Sequence, residues 1–190
     1  TMAIAISLQY KNHLYYTTIN SNTQVSFGSG KKDTVKVDSM TEGQYVFSAK
    51  GAVISLKQND RLQTMRDDLP LDRHVVLDNG ETVLFMSYHT GESEYVLKLP
   101  FDGDLTVGRN SGNDIVIRLP FVSGRHFVVR VRHGEVWIED LNSTNGLFLN
   151  GRRVRRTPMR FGDVLQILTV QIRLVNGSLH FMNVGSALRI

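Results

Sequence analysis

Cysteine is missing from this 190-residue chain, which excludes disulfide staples, a thiolate nucleophile and any cysteine-ligated zinc or iron–sulfur centre. A reducing compartment is therefore compatible with it. No apolar run approaches the roughly 18 to 20 residues that cross a bilayer. The opening Met2-Ala3-Ile4-Ala5-Ile6 has neither a basic n-region nor a cleavage site, so no secretory leader is expected there. Alanine is scarce at 5 residues, against 21 valines, 10 isoleucines and 13 threonines, so helix formers are few and β-branched residues dominate. Charged residues are also modest, at 21% against 41% hydrophobic, far from the composition of a disordered chain. The sequence points to an all-β globular protein, long enough for one large domain or two of about 95 residues.

Charge is unevenly spread. Residues 1–95 carry 9 basic and 11 acidic side chains, whereas 96–190 carry 13 and 7, so the second half stands at +6 within an overall +4. Twelve of those thirteen basic residues are arginine, whose planar fork suits carboxylate and phosphate. An anionic partner for the second half follows as an expectation.

Two-residue periodicity marks the strands. Phe127, Val129 and Val131 alternate with Val128, Arg130 and Arg132, and Val170, Ile172 and Leu174 alternate with Gln171, Arg173 and Val175. Asn79-Gly80, His133-Gly134, Asn150-Gly151 and Asn176-Gly177 are hairpin signals, because these residues tolerate positive φ. Asn59 to Leu69, ending at Pro70, lacks an amphipathic stripe and is expected to be a loop or a single turn. Many short strands with close turns indicate a sandwich or barrel.

An internal repeat is also present. Gln24–Val37 aligns without gaps on Asp104–Ile117 at an offset of 80, placing Gly28 on Gly108, and Val35 and Val37 on Ile115 and Ile117. Two copies of one β fold are therefore expected: 2–90, then 93–184 after a joint near Thr90 to Ser93, with 185–190 a tail leading into a longer chain. The copies differ at Arg109, which is Ser29 in the first.

In the second half Gly108-Arg109, Ser123-Gly124-Arg125-His126, Asn142-Ser143-Thr144-Asn145-Gly146 and Asn150-Gly151 fall at strand ends or loops. An arginine fork, two hydroxyls and an amide are the donors that hold a tetrahedral oxyanion and an extended peptide. In order and spacing these motifs resemble the forkhead-associated (FHA) domain, a phosphothreonine-reading β-sandwich, over about 94–183. The resemblance implies that Arg109 holds the phosphate, Ser123 donates its hydroxyl, and Thr144 and Asn145 contact the phosphothreonine and fix the peptide backbone. Gly108, Ser143 and Gly146 would shape or support the loops, and His126 would tie the Ser123 loop to neighbouring backbone. Gly124 departs from the family, where a side chain often assists binding; Arg125 or Arg118 would have to compensate. The first copy keeps none of these motifs, so its phosphate pocket is expected to be lost, leaving a structural or protein-binding role.

The tandem order, with its closing Gly185–Ile190 segment, resembles the N-terminal cytosolic region of membrane ATPases of the EssC (YukB) type, which drive type VII secretion in Gram-positive bacteria. This implies a non-enzymatic fragment, monomeric and free of cofactor or metal, on the cytoplasmic face of the membrane. The longer chain would carry transmembrane helices and FtsK/SpoIIIE-like ATP-binding motor modules. The implied partner is a phosphothreonine protein or the pseudokinase-like EssB (YukC) component, with a phosphate-independent assembly scaffold as the alternative.

Rival chemistries are weaker. Gly28-Ser29-Gly30-Lys31-Lys32 is no P-loop, because Val25 and Lys32 stand where glycine and a hydroxyl are required and a strand follows instead of a helix. His126, Asp140 and Ser143 lack the strained nucleophile turn of a hydrolase, and the six histidines show no metal spacing. Arg152, Arg153, Arg155, Arg156 and Arg160 could neutralise nucleic-acid phosphates, but only Phe148 and Phe161 are near enough to stack bases, so nucleic acid is not the expected partner.

Overall fold

The computed structural model describes residues 3–40, 43–59, 64–77 and 80–190. The chain divides into two compact units, 1–11 with 15–89 and 12–14 with 90–190. Among the described residues there is no α-helix, only a 3-10 turn at Gly185–Ala187. The all-β expectation is borne out.

The first unit contains β1 (Ile4–Tyr10), β2 (His13–Ile19, from Tyr15 onward), β3 (Gln24–Gly28), β4 (Val35–Lys36), β5 (Gln44–Lys50), β6 (Val53–Gln58), β7 (Met65–Arg66), β8 (His74–Val76) and β9 (Thr82–Tyr88). One sheet runs β4-β3-β5-β6-β7 and the other β2-β1-β9-β8. Between them lie Ile4, Ile6, Leu8, Phe27, Phe47, Ile54, Leu56 and Leu84, all 0–1% exposed. Each such side chain contributes about 1.5–3 kcal/mol by leaving water.

The second unit contains β10 (Glu92–Lys98), β11 (Gly103–Gly108), β12 (Ile115–Ile117), β13 (Phe127–Arg132), β14 (Glu135–Asp140), β15 (Phe148–Leu149), β16 (Arg152–Arg153), β17 (Arg156–Met159), β18 (Val164–Ile167), β19 (Val170–Val175), β20 (Ser178–Met182) and β21 (Leu188–Arg189). Its sheets run β17-β14-β13-β11-β12-β21 and β10-β20-β19-β18-β15-β16. The inward sets Phe127, Val129, Val131 and Val170, Ile172, Leu174 are buried with Val107, Ile115, Ile138, Leu165 and Phe181. The outward-phase residues Val128 and Gln171 are buried as well, which alternation alone does not foresee.

Three of the four hairpin signals are visible as two-residue turns with both φ positive: His133 (49°) with Gly134 (77°), Asn150 (50°) with Gly151 (83°), and Asn176 (51°) with Gly177 (74°). Such turns match the twist of the strands they join. Asn79 lies outside the described residues.

Three expectations need correction. Of the Asn59–Leu69 segment, 60–63 lie outside the described residues, but Met65–Arg66 is strand β7, completing the edge beside β6 through the pairs Leu56↔Arg66 and Lys57↔Met65. The 185–190 tail is part of the second unit's sheet: β21 pairs with β12, Leu188 is buried, and the Arg118 N–H donates to the Ala187 carbonyl at 2.9 Å. The second unit also begins before residue 93, because Asn183 Oδ1 accepts from the Thr90 and Gly91 N–H groups (3.0 and 3.3 Å). Residues 12–14 group with it too, Leu14 N–H donating to the Gly151 carbonyl at 2.8 Å.

The repeat is structural. Parallel pairs Phe27↔Val35 and Gly28↔Lys36 in the first unit recur as Val107↔Ile115 and Gly108↔Val116 in the second, each shifted by 80.

Candidate functional site

The site is built where β11 ends and three loops converge. Gly108 closes β11, and a Cβ there would collide with the Gly124 carbonyl oxygen, the Arg125 Cα and the Asn113 amide. Only glycine lets the end of β11 approach these loops so closely. The next residue, Arg109, is exposed; its backbone N–H donates to the Ser123 carbonyl (2.9 Å). Its Nη1 donates to the carbonyls of Pro120 (3.0 Å) and Val122 (3.1 Å). These are neutral acceptors. Arg109 makes no ion pair with Asp140, whose carboxylate accepts instead from the Ser143 hydroxyl (2.5 Å) and N–H (3.2 Å). The guanidinium is thus held by backbone, and no acid among the described residues compensates its charge.

His126 sets the distance between two of the loops. It is fully buried, its Nδ1 accepts from the Ser123 N–H (3.0 Å), and its Nε2–H donates to the Gly146 carbonyl (2.8 Å). One neutral tautomer satisfies both bonds. Burial pushes the His126 pKa below the ordinary histidine value, outweighing the Gly146 bond and the Asp140 charge that favour protonation. Both ring nitrogens are committed to backbone, and Ser143 is bonded to Asp140, so the hydrolase-like arrangement is not formed.

The Ser143–Gly146 loop is fastened to the same frame. Thr144 N–H donates to Ser123 Oγ (3.1 Å), Gly146 N–H to Ser143 Oγ (3.1 Å), and Asn145 Nδ2 to the Phe121 carbonyl (2.8 Å). Since Ser123 Oγ accepts from Thr144, its hydroxyl proton remains available to an outside acceptor. Arg109, Ser123, Thr144 and Asn145 are therefore linked through the 120–123 and 143–146 loops. Arg125 is exposed and outside this network.

Sequence reasoning missed several supports. Asn113, buried, donates through Nδ2 to the carbonyls of Asn110 (2.8 Å) and Gly124 (2.7 Å). Asn110 fills the space beside Gly124: a Cβ at 124 would stand 2.7 Å from the Asn110 amide nitrogen. The space beside Gly124 is thus taken by a side chain from the preceding loop. The carbonyls of 120–122 carry no side-chain signature, but Asn113 had one, since the repeat sets it opposite Asp33.

A family model for the FHA domain matches residues 105–168, and the second unit is an FHA domain. FHA domains are non-catalytic, phosphothreonine-dependent protein-docking modules. The whole chain has the tandem fold of a solved structure, the N-terminal FHA domain from EssC, a component of the bacterial type VII secretion apparatus. The TM-score is 0.77 at 16% identity, covering 98% of this chain and 94% of that one. At that identity the likeness concerns the fold.

A curated relative, the ABC transporter ATP-binding/permease protein Rv1747 of Mycobacterium tuberculosis, is 35% identical over 77 residues. The match covers 40% of this chain and only 9% of that protein's length. The NMR-based structure of its FHA-2 domain is 36% identical across 43% of this chain and 74% of that one, with a TM-score of 0.37. Among the described residues no helix is long and apolar enough to cross a membrane, and no cluster of ligating side chains could hold a metal ion.

Proposed function

We propose that the second unit docks a phosphothreonine-bearing segment of a partner protein, with Arg109 and Ser123 holding the phosphate and Thr144 and Asn145 placing the peptide. The observation that carries this reading is the His126 clamp, which joins the Ser123 and Gly146 backbones while the Arg109 charge has no acidic partner among the described residues. A phosphothreonine brings about −1.5 to −2 charges and three strong acceptor oxygens, which a preset arginine and hydroxyl match and plain threonine does not. The first unit takes no phosphate and serves as a phosphate-independent docking or structural element.

The fold likeness supports a place in a type VII secretion machine, as the N-terminal cytosolic part of a membrane ATPase. The +6 charge of residues 96–190 suits an acidic partner such as an EssB-type pseudokinase-like domain, through steering that salt weakens. Titration calorimetry of the 190-residue chain against a degenerate phosphothreonine peptide library tests the reading. Binding by the phosphorylated library alone supports it. No binding, together with recovery of a secretion component from lysate in the absence of phosphate, favours the scaffold alternative.

A further inference from the structure

Among the arginines of the second unit, Arg153 has a distinctive seat. Gly146, the residue after Thr144 and Asn145, has φ of +82°, and a Cβ there would lie 3.1 Å from both Nε and Cζ of Arg153. The Arg153 guanidinium therefore lies flat against the backbone of the peptide-placing loop, in the space that the missing side chain leaves. Its mount is rigid. Arg153 pairs with Phe148 across the β15–β16 hairpin, the Val154 N–H donates to the Leu147 carbonyl (2.9 Å), and the Asp140 N–H donates to the Arg155 carbonyl (2.8 Å).

The charge of Arg153 is unspent. Arg130 and Arg132 pair with Asp104, Arg130 also with Glu139, and Arg156 lies over the Trp137 ring at 5.2 Å. No such partner for the Arg153 guanidinium exists among the described residues, and the nearby Asp140 carboxylate is occupied by Ser143. An exposed, preoriented fork beside Thr144 and Asn145 is suited to a carboxylate.

We propose that Arg153 is a specificity-determining residue, selecting partners that carry an acidic side chain close to the phosphothreonine. This deepens the docking function proposed above and rests on it. The ligand class becomes an acidic phosphothreonine peptide, in which Arg109 takes the phosphate and Arg153 a carboxylate.

The test is calorimetry of the 190-residue chain with phosphothreonine peptides in an alanine-rich background, one glutamate being walked from three residues before to three residues after the phosphothreonine. Glutamate at one position should tighten binding about five- to tenfold over the all-alanine background. Arg153→Gln should erase that gain, bringing the ratio of affinities for the favoured glutamate peptide and the background peptide to about one, and Arg160→Gln should preserve the ratio. The thermal midpoint of Arg153→Gln, measured in parallel, should match wild type. Equal affinity for every glutamate position, or an Arg153→Gln variant that weakens all peptides alike, overturns the selectivity while the phosphothreonine reading stands. Failure of the background and all glutamate peptides to bind overturns both.

Discussion

The two units share one loop architecture and differ in the chemistry it presents. In the first, Ser26 N–H donates to Thr34 Oγ1 (3.0 Å) and Thr34 N–H to Ser26 Oγ (3.2 Å); in the second, Thr106 N–H donates to Asp114 Oδ2 (2.8 Å) and Asp114 N–H to Thr106 Oγ1 (3.1 Å). The bond from Asp33 N–H to the Gly30 carbonyl is repeated by Asn113 N–H and the Asn110 carbonyl, both at 3.2 Å. Every partner is shifted by 80.

Polarity is inverted at the centre of this common frame. Asn113 gives its amide protons to two carbonyls, whereas Asp33 accepts from Gly30 N–H (2.8 Å) and Gln44 Nε2 (2.5 Å). By strand register Gln44 occupies the place of His126, one residue before the pairs Phe27↔Tyr45 and Val107↔Phe127. Burial pushes the Asp33 carboxyl up, but bonds from Gln44, Ser26 and Gly30 outweigh it and hold the pKa below the ordinary value. The first unit thus keeps an anion beside Gly28 where the second keeps a donor beside Gly108. A duplicated loop can retain its folding bonds while the polarity of its central side chain inverts, because backbone geometry and side-chain charge are separate requirements.

The sharpest break in that comparison is Arg109→Ala. A charge-assisted bond is worth about 1.5–3 kcal/mol, so phosphopeptide affinity should fall by roughly one to two orders of magnitude, read by calorimetry. The reciprocal Ser29→Arg should confer none, since Asp33 stays in place; a gained phosphopeptide signal would show that the arginine was all the first unit lacked.

His126→Ala should come next, because it strands the Ser123 N–H and the Gly146 carbonyl inside the second unit. The expected loss is about 3 kcal/mol of that unit's stability, measured by denaturant unfolding. Asn113→Asp, which imports the chemistry of the first unit, turns a carboxylate towards two carbonyls and should cost about 2 kcal/mol. An unchanged midpoint would mean that the loop tolerates either polarity.

A smaller effect depends on pH. The folded pKa of His126 lies below its unfolded value of about 6.5, so the unfolded chain binds the proton first as pH falls. Stability of the second unit should be full above about pH 6.5 and decline below it towards the folded pKa, by at most about 1.4 kcal/mol per pH unit. Unfolding at pH 7.5 and 5.5 should reveal the slope, and His126→Gln should flatten it. Asp33→Asn should be the mildest change, about 1 kcal/mol from the first unit, as its donors Gly30 N–H and Gln44 Nε2 are neutral, the site is partly exposed and an amide oxygen can still accept one of the bonds. A larger loss would make Asp33 the counterpart of His126 in structural weight.

Much of the site was legible in the chain. The motifs placed Arg109, Ser123, His126 and Asn145 by residue type, and all of them fall at the end of β11 or in the two loops facing it. The resting partners of Arg109 were not legible, because carbonyls at 120 and 122 exist whatever the residue. Arg153 read only as one member of a basic run; its seat on Gly146 depends on the β15–β16 hairpin. Strand β7 was hidden because two residues carry no period, and β21 because a closing segment becomes a strand only when β12 offers it an edge.

The sequence by itself determined the β-rich composition, the repeat, the glycine turns and the donor set, since these depend on local sterics and residue chemistry. Only the tertiary structure decided which carbonyls hold Arg109, which histidine tautomer spans the loops, and whether position 33 or 113 accepts or donates. It also decided that Leu168, at φ of +48° and without a glycine to signal it, makes the β18–β19 turn; burial of its side chain and the Gln166 amide bond to its carbonyl (2.8 Å) hold it there. The reason is physical. Backbone preference acts over a few residues, whereas burial and hydrogen-bond satisfaction act between groups that the chain brings together from far apart.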